Sequence, residues 1–153
     1  MTPSSESNSA SASASRSAAP LTASTRAVVE TFFARFGSGD MPAVLGLFAE
    51  DVTFHVGGAE HVPWSGSRTS KDEIAAFFAT FPEVLTPPQE YALHTTVVEG
   101  AEAVVIGHNR FGVLATGKTF TNHFALHFTV VDGQITNYRM YEDSHAIGAA
   151  FTH

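Results

Sequence analysis

The chain contains no cysteine, which removes disulfides, zinc–thiolate sites and thiol nucleophiles from consideration without fixing the redox compartment. Cations are also scarce. Eight Lys and Arg against fifteen Asp and Glu leave a net charge of -7, whereas nucleic-acid binding draws on clustered positive charge, so no nucleic-acid partner is expected. Apolar runs are short as well: none approaches the roughly 20 residues of a membrane span, and no membrane partner is expected. At 153 residues the chain suffices for one domain with a real core and a single pocket.

The first 23 residues, MTPSSESNSASASASRSAAPLTA, are largely Ser and Ala. Such a segment has too little apolar surface to offset the entropy of ordering it, and its serines interrupt the continuous apolar centre of a signal peptide. Residues 1–23 are expected to be a disordered tail and residues 24–153 the domain, in a cytoplasmic protein.

After that segment, periodicity supplies the elements. Val29, Phe32, Phe33 and Phe36 recur at helical spacing, and GSG follows them. Asp40 can cap a second, shorter helix with Val44, Leu45 and Phe48 inward. DVTFHV reads as a strand with Phe54 on its apolar side and His55 facing out. Ser70 and Glu73 form a capping box for a third helix, whose stripe is Ile74, Phe77, Phe78 and Phe81 and which Pro82 should end. From Glu90 onward the period falls to two, in strands separated by short turns. Helices first and an antiparallel sheet after make an α+β fold with the helices covering one sheet face.

Turn chemistry then predicts a register. A two-residue turn at Thr116 and Gly117 sets Phe111 opposite Asn122, Asn109 opposite Phe124 and Gly107 opposite Leu126. A three-residue loop with Gly133 in a bulge sets Leu126 beside Tyr138, Phe124 beside Met140 and Asn122 beside Glu142. The apolar face of the strand carrying Phe120, Phe124, Leu126 and Phe128 selects the bulge, since the alternative mates it with Arg139 and Asp143. A four-residue EGAE loop sets His94 opposite Gly107. The missing side chain at Gly107 marks a place where a ligand or another backbone comes close.

The covered face thus carries His94, Asn109, Asn122, Tyr138 and Glu142. His94, with an imidazole suited to proton transfer near neutrality, is the expected catalytic base or acid. Tyr138 can donate to a carbonyl or developing enolate, Glu142 is a second base if apolar surroundings raise its pKa, and Asn109 and Asn122 orient the ligand. Met140, Phe124, Phe54 and Phe32 supply apolar walls. Trp64 is either a lid over the cavity mouth or an aromatic anchor for its own loop; His61 carries less weight. Metal is not expected. His123 and His127 share the outer face but stand about 13 Å apart along one strand, at roughly 3.3 Å per residue, too far for one ion. Asp143 with Arg139 makes a candidate ion pair on that outer face.

The ordered segments FGSGDMPAVLGLFAEDVTF, PWSGSRTSKDEIAAFF, ATGKTFTNHFALHF and DGQITNYRMYEDS together resemble the SnoaL-like branch of the nuclear transport factor two-like (cystatin-like cone) superfamily, over residues 25–151. The resemblance implies a cone: a curved antiparallel sheet on three N-terminal helices, enclosing one cavity, often paired into a homodimer through the convex sheet face. It does not imply one activity. Where epoxide hydrolases of the superfamily hold their water with an Asp-Arg-Asp set plus Tyr and Asn, this chain has Asn109, Gly107, Met140, Phe54 and Val56. At the three ketosteroid isomerase positions it has Val56, Phe32 and Leu126. The sequence therefore points to a cofactor-free isomerase, cyclase or dehydratase that moves a proton on a small apolar, cyclic or polyketide-like molecule by other groups. The alternatives are a binder or carrier of a hydrophobic metabolite, and a dimerising module whose cavity is filled by its own Phe side chains.

Overall fold

The computed structural model describes residues 6–153, and side chains from residue 19 onward. Residues 1–5 of the Ser/Ala-rich segment lie outside the described residues. The elements are α1 (Glu6–Ser38), α2 (Met41–Leu45), β1 (Phe48–Val56), β2 (Gly66–Arg68), α3 (Lys71–Val84), β3 (Glu90–Glu99), β4 (Glu102–Gly112), β5 (Thr119–Val131), β6 (Gln134–Tyr141) and α4 (Ser144–Ala150). They form an α+β fold with a six-stranded sheet in the order β2-β1-β6-β5-β4-β3. The sheet is mixed rather than wholly antiparallel, because β1 lies parallel to β6.

Helix α1 docks through Thr25, which is fully buried and donates its hydroxyl to the Gly100 carbonyl at 2.7 Å, while Thr22 Oγ1 accepts from Gly100 N–H. Asp40 caps α2 by accepting from Ala43 N–H, as its position before the helix predicts. Ser70 caps α3 in the same way through Glu73 N–H. Pro82 does not end α3, which runs to Val84. A proline in the last turn forfeits one backbone bond without stopping the helix there. Sequence reasoning missed α4. Asp143 caps it by accepting from Ala146 N–H, so this residue is a helix cap rather than the partner of Arg139. The Arg139 guanidinium lies over the Tyr141 ring at 5.3 Å.

Phe residues from α1, α3, β1 and β5 fill one half of the space between helices and sheet. Phe32 meets Phe128 edge-on at 5.2 Å, and Phe54 stacks parallel on Tyr138 at 4.2 Å. Offset or edge contacts of this kind add about 0.5–1.5 kcal/mol per pair to the area buried.

The inward face of β6 is the expected one, but the registers differ. Asn109 pairs with Asn122, Gly107 with Phe124 and Phe111 with Phe120, two residues from the prediction, because the β4–β5 turn is longer and closes with Val113 N–H on Lys118 O. Leu126 pairs with Met140 and Phe128 with Tyr138. Asp132 (φ 51°) and Gly133 (φ 75°) make a two-residue turn with Val131 opposite Gln134, and the extra residue is Thr136, between Ile135 and Asn137. The bulge exists but sits farther along, which preserves the predicted faces while sliding the pairs.

The larger correction concerns β3. Its register shifts between Leu93 and Thr95, so Leu93 faces Gly107 and Thr95 faces Ile106, leaving His94 as the extra residue. His94 therefore projects from the outer face, exposed, with its Nε2 2.7 Å from His108 Nδ1. Tyr91 and Leu93 take the inward direction that unbroken alternation assigns to His94.

Candidate functional site

The other half of the helix–sheet space is open: a cavity of about 410 Å³. Its walls are mostly aromatic, from α1 (Phe32, Phe33, Phe36), α3 (Phe77, Phe78, Phe81) and the sheet (Phe111, Phe120, Phe124). Of the expected site residues, Tyr138, Glu142, Asn109, Asn122, Trp64, Met140, Phe124 and Phe32 line it. Phe54 does not; it lies behind Tyr138 as core, with no exposed surface. His94 does not either, for the reason just given.

Glu142 is the single charged side chain in this lining. Its position follows from the chain on either side. Tyr141 ends β6, Asp143 caps α4, and Asn122 Oδ1 accepts from Asp143 N–H at 2.8 Å. The carboxylate between these fixed points accepts the Trp64 indole N–H, which lies 3.2 Å from both oxygens. Burial among aromatic rings pushes the carboxyl up to about 7 from an ordinary 4.5, and the indole hydrogen bond pulls it partly back. Such a group changes charge near neutrality without any imidazole.

Trp64 is a wall rather than a lid. It is only 2% exposed and packs edge-on against Phe81 at 5.1 Å and Phe151 at 5.3 Å. Its ring thus anchors the β1–β2 loop while its N–H serves the cavity. Tyr138 is buried, and its phenol is held far above its usual range by burial first, then by the proximity of Tyr91 and Glu142. It stays protonated, and so remains a hydrogen-bond donor, at any working pH. Asn122 has already committed its oxygen to the β6–α4 turn, so only its amide NH₂ is left to face a ligand. Asn109 Oδ1 is buried with no hydrogen-bond partner in the protein.

Sequence reasoning missed two residues of this wall, Tyr91 and Ile147. Ile147 was hidden because α4 was not recognised. Tyr91 was hidden because the bulge at His94 reverses which residues of early β3 face inward. The residue is 44% exposed, yet burial pushes its phenol up. The two facts fit a ring whose edge meets solvent at the cavity mouth while its hydroxyl sits inside.

On the outer face His108 Nε2 stands 3.4 Å from Glu90, and His127 Nε2 stands 2.6 Å from Glu102. Among the described residues no three His, Cys, Asp or Glu side chains converge as metal ligands do. No described helix is long and apolar enough to cross a membrane.

Comparison with known proteins bears on the fold and the family. An NTF2-like protein from Burkholderia xenovorans LB400 superposes with a TM-score of 0.75 at 26% identity, over 86% of this chain and 98% of that one. TerC, co-crystallised with polyporic acid, gives 0.72 at 23% identity over 84% and 98%. A Mesorhizobium loti protein provisionally named a SnoaL-like polyketide cyclase gives 0.64 at 18% identity over 76% and 97%. No curated protein matches the chain. The SnoaL-like domain model matches residues 29–138, from the middle of α1 to Tyr138. The chain belongs to the SnoaL-like domain family and carries the NTF2-like fold.

Proposed function

We propose that this protein moves a proton on a small apolar, cyclic molecule held in the aromatic cavity, as an isomerase, cyclase or dehydratase, with Glu142 as the acid–base group. The observation that carries this reading is a lone carboxyl in an apolar chamber, brought near neutrality by burial and held by the Trp64 N–H. General acid–base catalysis works best when the group's pKa lies near the operating pH.

The chemistry follows from the lining. The Glu142 carboxylate takes a proton from a carbon next to a substrate carbonyl and becomes a carboxylic acid. The carbonyl oxygen gains the electron pair as an enolate and accepts a hydrogen bond from Tyr138, which is too strongly held to give up its own proton. The proton returns from Glu142 to the same or a conjugated carbon. The Phe walls exclude water, which strengthens each of these interactions. The His94 role expected from sequence passes to Glu142.

The probe is 2-tetralone, a flat apolar ketone with exchangeable protons beside its carbonyl, observed by NMR in heavy water. The protein is expected to accelerate exchange, and Glu142→Gln to remove about 10²–10⁴-fold of it. Equal rates in the two proteins would sink the reading. A second reading, a non-catalytic binder of the same class of molecule, is favoured by the presence of just one carboxylate in the lining. It predicts 2-tetralone bound without exchange.

A further inference from the structure

The pair His94–His108 lies outside the cavity and takes no part in the chemistry above, yet it is closely built. The Nε2···Nδ1 separation is 2.7 Å, with the ring centres 4.9 Å apart and the planes within 17°. That is the spacing of two imidazoles meeting nitrogen to nitrogen in almost one plane. The N–H of one ring therefore points at the lone pair of the other. On the far side of His108, Nε2 faces Glu90 at 3.4 Å, and the His123 ring lies 5.6 Å away on β5. Arg110, opposite Glu90 in the ladder, is turned to Gln89, Thr119 and Thr121.

We propose that His94 is the latch of the β3 bulge, and through it the positioning residue that turns Tyr91 into the cavity. The chain has two ways to pair this stretch with β4. In the observed one, His94 and Thr95 both sit outward against Ile106, and Leu93 and Tyr91 face in, opposite Gly107 and Asn109. In the other, alternation runs unbroken back from Thr96 opposite Val105: residue 94 turns inward opposite Gly107, followed by Ala92 and Glu90, while Tyr91 and Leu93 turn out.

The ends of the strand are pinned by Gln89 N–H on Arg110 O and Thr86 N–H on Gly112 O. The His94–His108 bond is the side-chain contact at the bulge itself. Its loss shifts the balance between the two pairings by roughly fivefold, the weight of one ordinary hydrogen bond. Gly107 is the complementary half of the device. A Cβ there would lie 2.4 Å from the Ala92 carbonyl oxygen and 2.9 Å from Phe124 Cζ, so the bulged strand approaches β4 more closely than any side chain allows.

The test is the cross-strand proton contacts of Gly107, measured by NMR in four proteins. The unaltered chain should show Leu93–Gly107. In His94→Val, which removes the latch and gives residue 94 an apolar reason to face inward, a 94–Gly107 contact should appear at the expense of Leu93–Gly107. His108→Ala removes the same bond from β4 and should weaken Leu93–Gly107 in the same direction. Deletion of His94 removes the extra residue and needs no latch, so it should keep Leu93–Gly107 intact.

A binding arm reads the consequence with 2-naphthol as the cavity probe. Affinity should fall in His94→Val about as far as in Tyr91→Ala, and stay near the unaltered value in the deletion. Full retention of Leu93–Gly107 in both His94→Val and His108→Ala would overturn the proposal, as would a deletion that behaves like His94→Val. If 2-naphthol does not bind even the unaltered chain, the cavity reading fails, and the Gly107 contacts still decide the latch.

Discussion

On the outer face of the sheet, His127 meets Glu102 at 2.6 Å and His108 meets Glu90 at 3.4 Å, each pair partly in water. On the inner face Glu142 has an indole N–H and aromatic walls, and no cation in the lining. Both settings give a carboxylate a hydrogen bond, but only one removes the solvent. Outside, water carries most of the cost of charge and a partner adds little. Inside, ionisation is opposed by burial, and that opposition makes the carboxyl exchange its proton near neutral pH. A reactive group here is made by what surrounds it rather than by residue type.

Glu142→Gln attacks the inner face directly and carries the largest expected effect, the loss of about 10²–10⁴-fold in proton exchange. The same variant reads out in stability. The folded pKa of Glu142 lies above its ordinary value, so the contribution of its neutral form is fully present below about 4.5 and is lost as pH rises through about 7. At pH 8, Glu142→Gln should therefore be more stable than the parent by no more than about 3 kcal/mol, with the advantage vanishing at pH 4, as urea denaturation at the two pH values would show.

Gly107→Ala strikes where the faces are coupled. An added methyl meets a backbone carbonyl that cannot move freely, and stability should fall by about 3 kcal/mol, seen as a lowered Tm. Trp64→Phe tests the indole alone: it keeps an aromatic wall but removes the donor that lowers the Glu142 pKa, so the midpoint of the pH–rate profile should move up. A midpoint that stays put would mean the indole does not hold the carboxylate. The smallest effect belongs outside. His127→Ala should change stability by less than about 1 kcal/mol and leave exchange untouched.

Much of this was legible before any coordinates. The helices, their caps at Asp40 and Ser70, and the inward face of Tyr138, Met140 and Glu142 follow from periodicity, because the apolar face of β5 must be buried whatever the exact register. What periodicity does not reveal is an extra residue whose two placements leave the rest of the strand equally apolar. Early β3, EYALHTT, offers no strong apolar face to choose between inward Tyr91 and inward His94. The choice falls to a side-chain bond across strands and to a glycine, both visible only in three dimensions. Gly107 was recognised as a point of close approach; the approaching group is the Ala92 backbone together with the Phe124 ring. The β4–β5 pairing slid by two residues for a simpler reason: Thr116-Gly117 lies within a longer turn instead of forming a two-residue one.

The most direct measurement is the titration of Glu142 itself, followed through its ¹³C-labelled carboxyl carbon with Glu142→Gln as the assignment control. The account predicts a midpoint near 7. A carboxyl that ionises near 4.5, like one in water, would contradict it.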